Sequence, residues 1–338
     1  MAPRMQYVRL GNSGLKVSKI ILGCMSYGTK EWRDWVLPEE EAIKHIKFAY
    51  DHGIQTFDTA DLYSHGLSET ILGNAIRKLN LPREELVIMT KLWSPIANDF
   101  KKDFTEPSAK PEEAGIINQK GLSRKHIFDA VQASLKRLQV DYIDLLQCHR
   151  FDYETPIEET MQALHDVVKA GYVRYIGMSS CWAYQYYAIT HNLTPFVSIQ
   201  NHYNLMYRED ERELMPTFKM FGVGSIPWSP LGRGLLCRPY NTEPTARKKS
   251  DDFQYEDAPF LPTLTSRIEE LVERKGVSMA QISLAWCLAK EGVTAPIIGT
   301  TSLSNLEDIL GALDVKLTDE EIKYLEEPYR PVKISGHI

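Results

Sequence analysis

Eight times along this chain a short apolar run gives way to a longer stretch whose apolar residues recur every three or four positions, and that alternation leaves few folds open. The short runs fall at 20–23, 56–58, 87–91, 143–149, 175–179, 197–201, 224–228 and 295–298. Helical spacing falls at 39–52, 68–79, 123–138, 156–170, 183–191, 210–221, 264–275, 278–291 and 304–310. Strand, amphipathic helix, strand reads as a parallel βαβ unit, since the crossover helix packs its apolar stripe back on the sheet. Ahead of the first unit, alternating runs between Tyr7 and Val17 flank Gly11-Asn12-Ser13-Gly14. Asn and Gly supply the positive φ angles of a hairpin loop, so a β-hairpin is expected to plug the bottom of the sheet. Thr318-Asp319-Glu320-Glu321 has capping-box spacing and opens a tail helix.

Parallel units can build an open doubly wound sheet or a closed barrel. No G-x-G-x-x-G follows the first strand, which removes the usual mark of the open sheet. Instead three successive strands close on polar residues, Asp58, Lys91 and His149, and Tyr63 follows Asp58 by five positions. Polar groups gathered at strand C-termini suit the active rim of a barrel. The expected fold is α/β, a (β/α)8 TIM barrel with an N-terminal β-hairpin and long C-terminal-rim loops. Its 338 residues could make two average domains, but such barrels run this long as one, so a single domain over 1–338 is expected. The long connections, 92–121 and 231–262, leave from strand C-termini, where a loop of this length reads as a lid.

The four rim residues suit one chemistry. Reducing a carbonyl needs a hydride donor on one face and a proton donor at the oxygen. A tyrosine can donate, a lysine beside it lowers the phenol pKa, and a carboxylate beyond keeps the lysine charged and placed. Tyr63, Lys91 and Asp58 are those residue types, and His149 can orient the carbonyl through a hydrogen bond. Each alone has a plain structural explanation: a cap, a loop anchor, a solvated strand end, a core histidine. Four of them closing or following three adjacent strands do not.

Composition narrows the partners. With 39 basic and 45 acidic residues the net charge is -6, and no basic cluster suggests nucleic acid. Five scattered cysteines, without C-x-x-C spacing, fit reduced thiols in the cytoplasm and predict no metal site. No segment reads as a targeting signal or membrane span. Oligomeric state is left open.

Phe57-Asp58-Thr59-Ala60-Asp61-Leu62-Tyr63 with Gly66-Leu67-Ser68-Glu69 resembles the F-D-T-A-x-x-Y and G-x-(S/A)-E signatures of the aldo-keto reductase family, and the likeness runs from residue 9 to about 314. It implies a (β/α)8 barrel, a catalytic tetrad of Asp58, Tyr63, Lys91 and His149, and NADPH as cofactor. Gly177-Met178-Ser179-Ser180 is similar to the family's G-V-S-N, which implies that Ser179 and Ser180 hold the nicotinamide carboxamide, with serine at 180 where asparagine is usual. Gln200 matches the glutamine sharing that task, and Trp228 stands where an aromatic stacks on the nicotinamide. Ser229, Pro230, Leu231, Gly232, Arg233 and Gly234 would wrap the pyrophosphate, the glycines letting backbone N–H groups approach an anion. Arg247 corresponds to a lid arginine that reaches the 2'-phosphate. Gly299, Thr301, Asn305 and Asp308 lie in the stretch that holds the adenine end, where Asn305, Asp308 and Ile309 depart from the family's Gln or Arg, Glu and Asn.

The first expectation is therefore an NADPH-dependent reductase of a small-molecule aldehyde or ketone. A second is a regulatory subunit that keeps barrel and cofactor and acts through a protein partner, as the channel-associated β subunits of the family do; a chain that begins almost at the barrel weighs towards the enzyme. A sugar-phosphate isomerase or lyase on the same barrel would need neither Trp228, Gln200 nor Ser179.

Overall fold

In a computed structural model of the chain, residues 5–102, 104, 110–179, 183–243, 245, 247 and 258–334 are described. Strands β1 (Tyr7–Arg9) and β2 (Lys16–Ser18) form an antiparallel hairpin. Eight parallel strands follow: β3 (Ile21–Gly23), β4 (Thr56–Asp58), β5 (Val87–Leu92), β6 (Ile143–Cys148), β7 (Val173–Met178), β8 (Phe196–Ile199), β9 (Gly224–Ser225) and β10 (Ile297–Ile298). They lie side by side in chain order, with β10 returning to pair with β3. Between β9 and β10 the sheet closes through single bridges, Ser225 with Val293 and Trp228 with Ile297, and Pro227 O accepts from Ile297 N–H at 2.9 Å. The (β/α)8 barrel with its N-terminal hairpin is the observed architecture.

Period two along each strand explains the two layers of core. Val87 and Met89 of β5, Leu145 of β6, Ile226 and Ile297 point into the barrel and cluster with Leu10 and Val17 of the hairpin, which therefore plugs the interior. The alternate residues Ile88, Leu146 and Phe57 face outward into a larger cluster with the helices. Helix α1 (Glu39–Asp51) buries Ala42, Ile46 and Ala49; α2 (Leu67–Lys78) buries Ile71, Leu72 and Ala75; α3 (Arg124–Leu138) buries Ile127, Val131, Leu135 and Leu138; α4 (Ile157–Lys169) buries Met161, Leu164 and Val167. These are the i, i+3, i+4 stripes of the sequence, and each fully buried Leu or Ile stabilises by roughly 1.5–3 kcal/mol. After α5 (Ala183–Thr190) and α6 (Leu214–Phe221) come α7 (Leu261–Lys275), α8 (Met279–Ala289), α9 (Leu303–Leu310) and α10 (Asp319–Glu326), the last with the expected capping box at Thr318 and Glu321.

Several boundaries differ from the sequence reading. In the hairpin loop only Gly11 takes a positive φ, 57°; a Cβ there would lie 2.4 Å from Gly222 O, and Asn12 N–H donates to that same carbonyl. The helix expected over 210–221 begins at Leu214, because Asp210 sits in a separate turn and accepts from Asn201 Nδ2 at 2.7 Å. The strand expected over 224–228 stops at Ser225: Pro227 has no N–H for the ladder, and Trp228 rejoins through its two bridges, to His202 and Ile297. Likewise His149 lies one residue beyond β6.

Among the described residues no helix is long and apolar enough to cross a membrane. No group of three His, Cys, Asp or Glu among them could hold a metal ion.

Candidate active site

At the C-terminal rim the inward-facing positions turn from apolar to polar. On β5 the series Val87, Met89, Lys91 continues one face; on β6 Leu145 is followed two positions on by Gln147; on β4 Thr56 is followed by Asp58. Strand register puts Asp58 opposite Met89 and Lys91 opposite Gln147, so these side chains converge.

Lys91 is wholly buried and forms an ion pair with Asp58, Nζ to Oδ2 at 2.6 Å. Its ammonium also donates to Thr59 O at 2.9 Å and to the Tyr63 hydroxyl at 3.2 Å. The other Asp58 oxygen accepts from Gln147 Nε2 at 3.1 Å and Gln200 Nε2 at 2.9 Å, and Gln200 Nε2 also lies 3.1 Å from Gln147 Oε1. Tyr63 is carried by a short turn, Tyr63–Gly66, directly after the Asp58 strand. The His149 ring stands edge-on to it, 6.0 Å between centroids at 85°. All four expected residues therefore meet in one cluster, with Trp32 packed 6.4 Å from the Tyr63 ring.

Burial tunes each group. It would pull Lys91 down, but Asp58 and Tyr63 outweigh it, and the ammonium is held above the ordinary lysine value. Burial also pushes the Tyr63 phenol above its usual range; Lys91 pulls the other way, as expected, and is outweighed. The hydroxyl keeps its proton and stands ready to donate it. His149 is held well below the ordinary histidine value by burial, with the Arg150 and Lys91 cations adding to it. A neutral imidazole results, and its Nδ1 has no hydrogen-bond partner among the described residues.

Beside this cluster lie the residues expected to hold a cofactor. Ser179 Oγ donates to Gln200 O at 2.7 Å and accepts from Arg150 Nη1 at 3.4 Å, which leaves one lone pair able to accept from a carboxamide. Gln200 itself is tied into the Asp58 network rather than standing apart from it. Trp228 is half-buried and backed by His202, stacked at 4.2 Å and 9°, with Tyr207 on the far side of His202 at 4.5 Å. These residues fit the nicotinamide end of a dinucleotide: an acceptor, a carboxamide and a braced flat ring at the barrel mouth.

The phosphate side is more committed. Ser229 takes φ 53°, then Gly232, Arg233 and Gly234 take 55°, 54° and 95°. Pro230 and Leu231 lie between; the φ of Gly232 is one that glycine takes without strain, and a Cβ there would press on the movable end of Met206 at 2.2 Å. The N–H groups of Gly232 and Gly234 donate within the turn, to Ser229 O and Leu231 O, both at 3.0 Å. Anion contact here would come from the Arg233 guanidinium, 5.8 Å from the Trp228 ring, more than from those two amides. Arg247 lies with its guanidinium 4.5 Å from the Trp35 ring. Gly299 and Thr301 are exposed on the connection from β10 into α9. Asn305 is exposed too, its N–H donating to Ser302 Oγ, whereas both Asp308 carboxylate oxygens are engaged by α8 through Ser278 at 2.6 Å and Gln281 at 2.9 Å. Ser180 lies outside the described residues.

Three participants escaped the sequence reading. Gln147 could have been found from the period-two rule that placed Lys91. Arg150, which donates to His149 O at 2.7 Å, and His202, behind Trp228, owe their positions to tertiary packing.

Barrel, rim cluster and sequence converge on one class. The aldo/keto reductase family model matches residues 19–330, and the chain belongs to that family. It is 50% identical to a Schizosaccharomyces pombe protein that carries the name of an aryl-alcohol dehydrogenase, over 98% of either chain. It is 46% identical to the versiconal hemiacetal acetate reductase of Aspergillus parasiticus, again over 98% of either chain. An aldo-keto reductase of Alternaria alternata is 43% identical over 99% of this chain and 95% of its own. The protein is an oxidoreductase of this family.

Proposed function

We propose that this protein reduces an aldehyde or ketone to an alcohol with NADPH, reversibly, through one barrel domain spanning 1–338. The observation that carries the reading is the buried chain from Asp58 through Lys91 to the Tyr63 hydroxyl, 2.6 and 3.2 Å per step. A nicotinamide dinucleotide held there would supply hydride to the carbonyl carbon. Negative charge then grows on the carbonyl oxygen, and Tyr63 delivers its proton there. The phenolate left behind faces the Lys91 ammonium, which Asp58 holds in place. His149, neutral, offers a hydrogen bond that orients the carbonyl without competing as an acid. Ser179, Ser180 and Gln200 would grip the carboxamide, and Trp228 would support the ring.

For substrate we propose an aromatic aldehyde or its alcohol. Trp32 beside Tyr63 offers an apolar wall, and the S. pombe relative is named for aryl alcohols. We assign the protein to the cytoplasm, since the described cysteines Cys24, Cys148, Cys237 and Cys287 carry free thiols. A stable disulfide on non-reducing electrophoresis would overturn that assignment. The functional test is a fluorescence titration with NADPH followed by a panel of aromatic and aliphatic aldehydes with NADPH consumption as readout. Saturable binding and turnover of at least one aromatic aldehyde are expected; no binding, or binding without turnover of any carbonyl, would sink the reading.

A further inference from the structure

The turn that carries Tyr63 is more strained than its length requires. Ser64, His65 and Gly66 take φ angles of 48°, 49° and 90°, three successive left-handed residues of which two carry side chains. What holds them there is visible in their partners. Ser64 Oγ accepts from Thr29 N–H at 3.3 Å, on the connection that also bears Trp32. His65, only 8% exposed, is gripped at both ring nitrogens. Ala97 N–H reaches Nδ1 at 3.2 Å, and Nε2 lies 2.8 Å from Lys102 O. An amide N–H can only donate, so Nδ1 is the acceptor and the ring proton sits on Nε2, given to the Lys102 carbonyl. Phe100, between those two residues, packs 6.4 Å from the imidazole. Ala97, Phe100 and Lys102 belong to the connection that leaves β5 just beyond Lys91. One imidazole thus joins the turn bearing Tyr63 to the rim segment that departs from Lys91.

We propose that His65 is a positioning residue which fixes the 97–102 segment as a wall of the substrate site, and so sets which carbonyl compounds fit against Tyr63. The proposal deepens the reductase reading and rests on it. A side chain that only stabilised the turn would change all substrates alike. One that places a wall changes large substrates more than small ones, because a displaced wall alters contacts that a small aldehyde never makes.

The test uses the full chain with His65→Leu, which keeps volume and removes both bonds, and His65→Asn, whose carbonyl oxygen replaces Nδ1 and which tolerates a left-handed backbone. Hydrogen–deuterium exchange of residues 97–102 should quicken in His65→Leu and return towards wild type in His65→Asn. KM for a two-ring aromatic aldehyde should rise about tenfold in His65→Leu, the loss of one to two hydrogen bonds, while KM for a small aliphatic aldehyde changes less than about twofold. Unchanged exchange in His65→Leu, an equal rise in KM for both aldehydes, or His65→Asn as impaired as His65→Leu would overturn it. A wild-type chain that turned over no carbonyl of the panel would overturn the reductase reading and the substrate-selecting role with it, whereas exchange at 97–102 tests the clip by itself.

Discussion

Lys91 Nζ carries three hydrogens and finds three oxygen acceptors, on Asp58, Thr59 and Tyr63. Full burial makes that match obligatory, since an ammonium or carboxylate left alone inside the barrel would cost several kcal/mol. Lys91→Met should therefore do two things. It leaves Asp58 with only the Gln147 and Gln200 carboxamides, a loss on the order of 3 kcal/mol, and it removes the cation that receives the phenolate, lowering turnover roughly 10²–10⁴-fold. Asp58→Asn added to Lys91→Met separates the two effects: thermal unfolding should recover while turnover stays low. A double variant with near wild-type turnover would rule out the role given to Lys91. Much of this cluster was legible in the sequence, because Val87, Met89 and Lys91 share one strand face and the acid and phenol are close in the chain. What was not legible is balance. Neighbouring charge alone suggests that Lys91 brings the Tyr63 phenol down, and only the depth of the site reveals that burial outweighs it.

At the scale of elements, strands and helices follow from period and caps. Ser123, Ser278, Ser302 and Thr318 each accept an N–H from the first turn of the helix that they open. Errors gathered where a side chain or a proline competes with regular backbone, as at Asp210 and Pro227. Loops were legible as long and rim-facing but not in their contacts: neither the clip of His65 on 97–102 nor the stacking of Arg247 over Trp35 has a local signal. That stack bears on cofactor choice. A guanidinium over a half-buried indole such as Trp35 is stabilised by about 1 kcal/mol, and a charge-assisted bond to a phosphate gives about 1.5–3 kcal/mol. If Arg247 reads the 2'-phosphate, the difference predicts a preference for NADPH over NADH of about tenfold. Arg247→Ala should erase it by weakening NADPH alone, as read from the dissociation constants of both cofactors. A variant that discriminates like wild type would assign the 2'-phosphate to another cation.

Across the barrel, four histidines are held below the ordinary histidine value. His45, His126, His149 and His202 are all lowered, chiefly by burial, and His202, between Trp228 and Tyr207, is brought down to about 3. The folded value lies below the unfolded one of 6.5, so below that pH the unfolded chain binds more protons. The contribution of these rings is complete above about pH 6.5 and is lost as pH drops toward 3, while the Asp61 and Asp210 carboxyls, raised by burial, act in the opposite sense. At pH 5.5 His202 alone removes about 1.4 kcal/mol. Between pH 7.5 and 5.5 the Tm of wild type should fall relative to that of His202→Gln, and equal slopes would mean that this ring is protonated or exposed in the fold. The central claim is narrower: this barrel reduces carbonyl compounds because Tyr63 gives up its proton. It is tested most directly by Tyr63→Phe, with NADPH titration and single-turnover reduction of an aromatic aldehyde measured on the same sample. The account predicts an NADPH dissociation constant within about twofold of wild type and a reduction rate lower by at least about 10²-fold. Reduction at the wild-type rate with the phenol gone would contradict it.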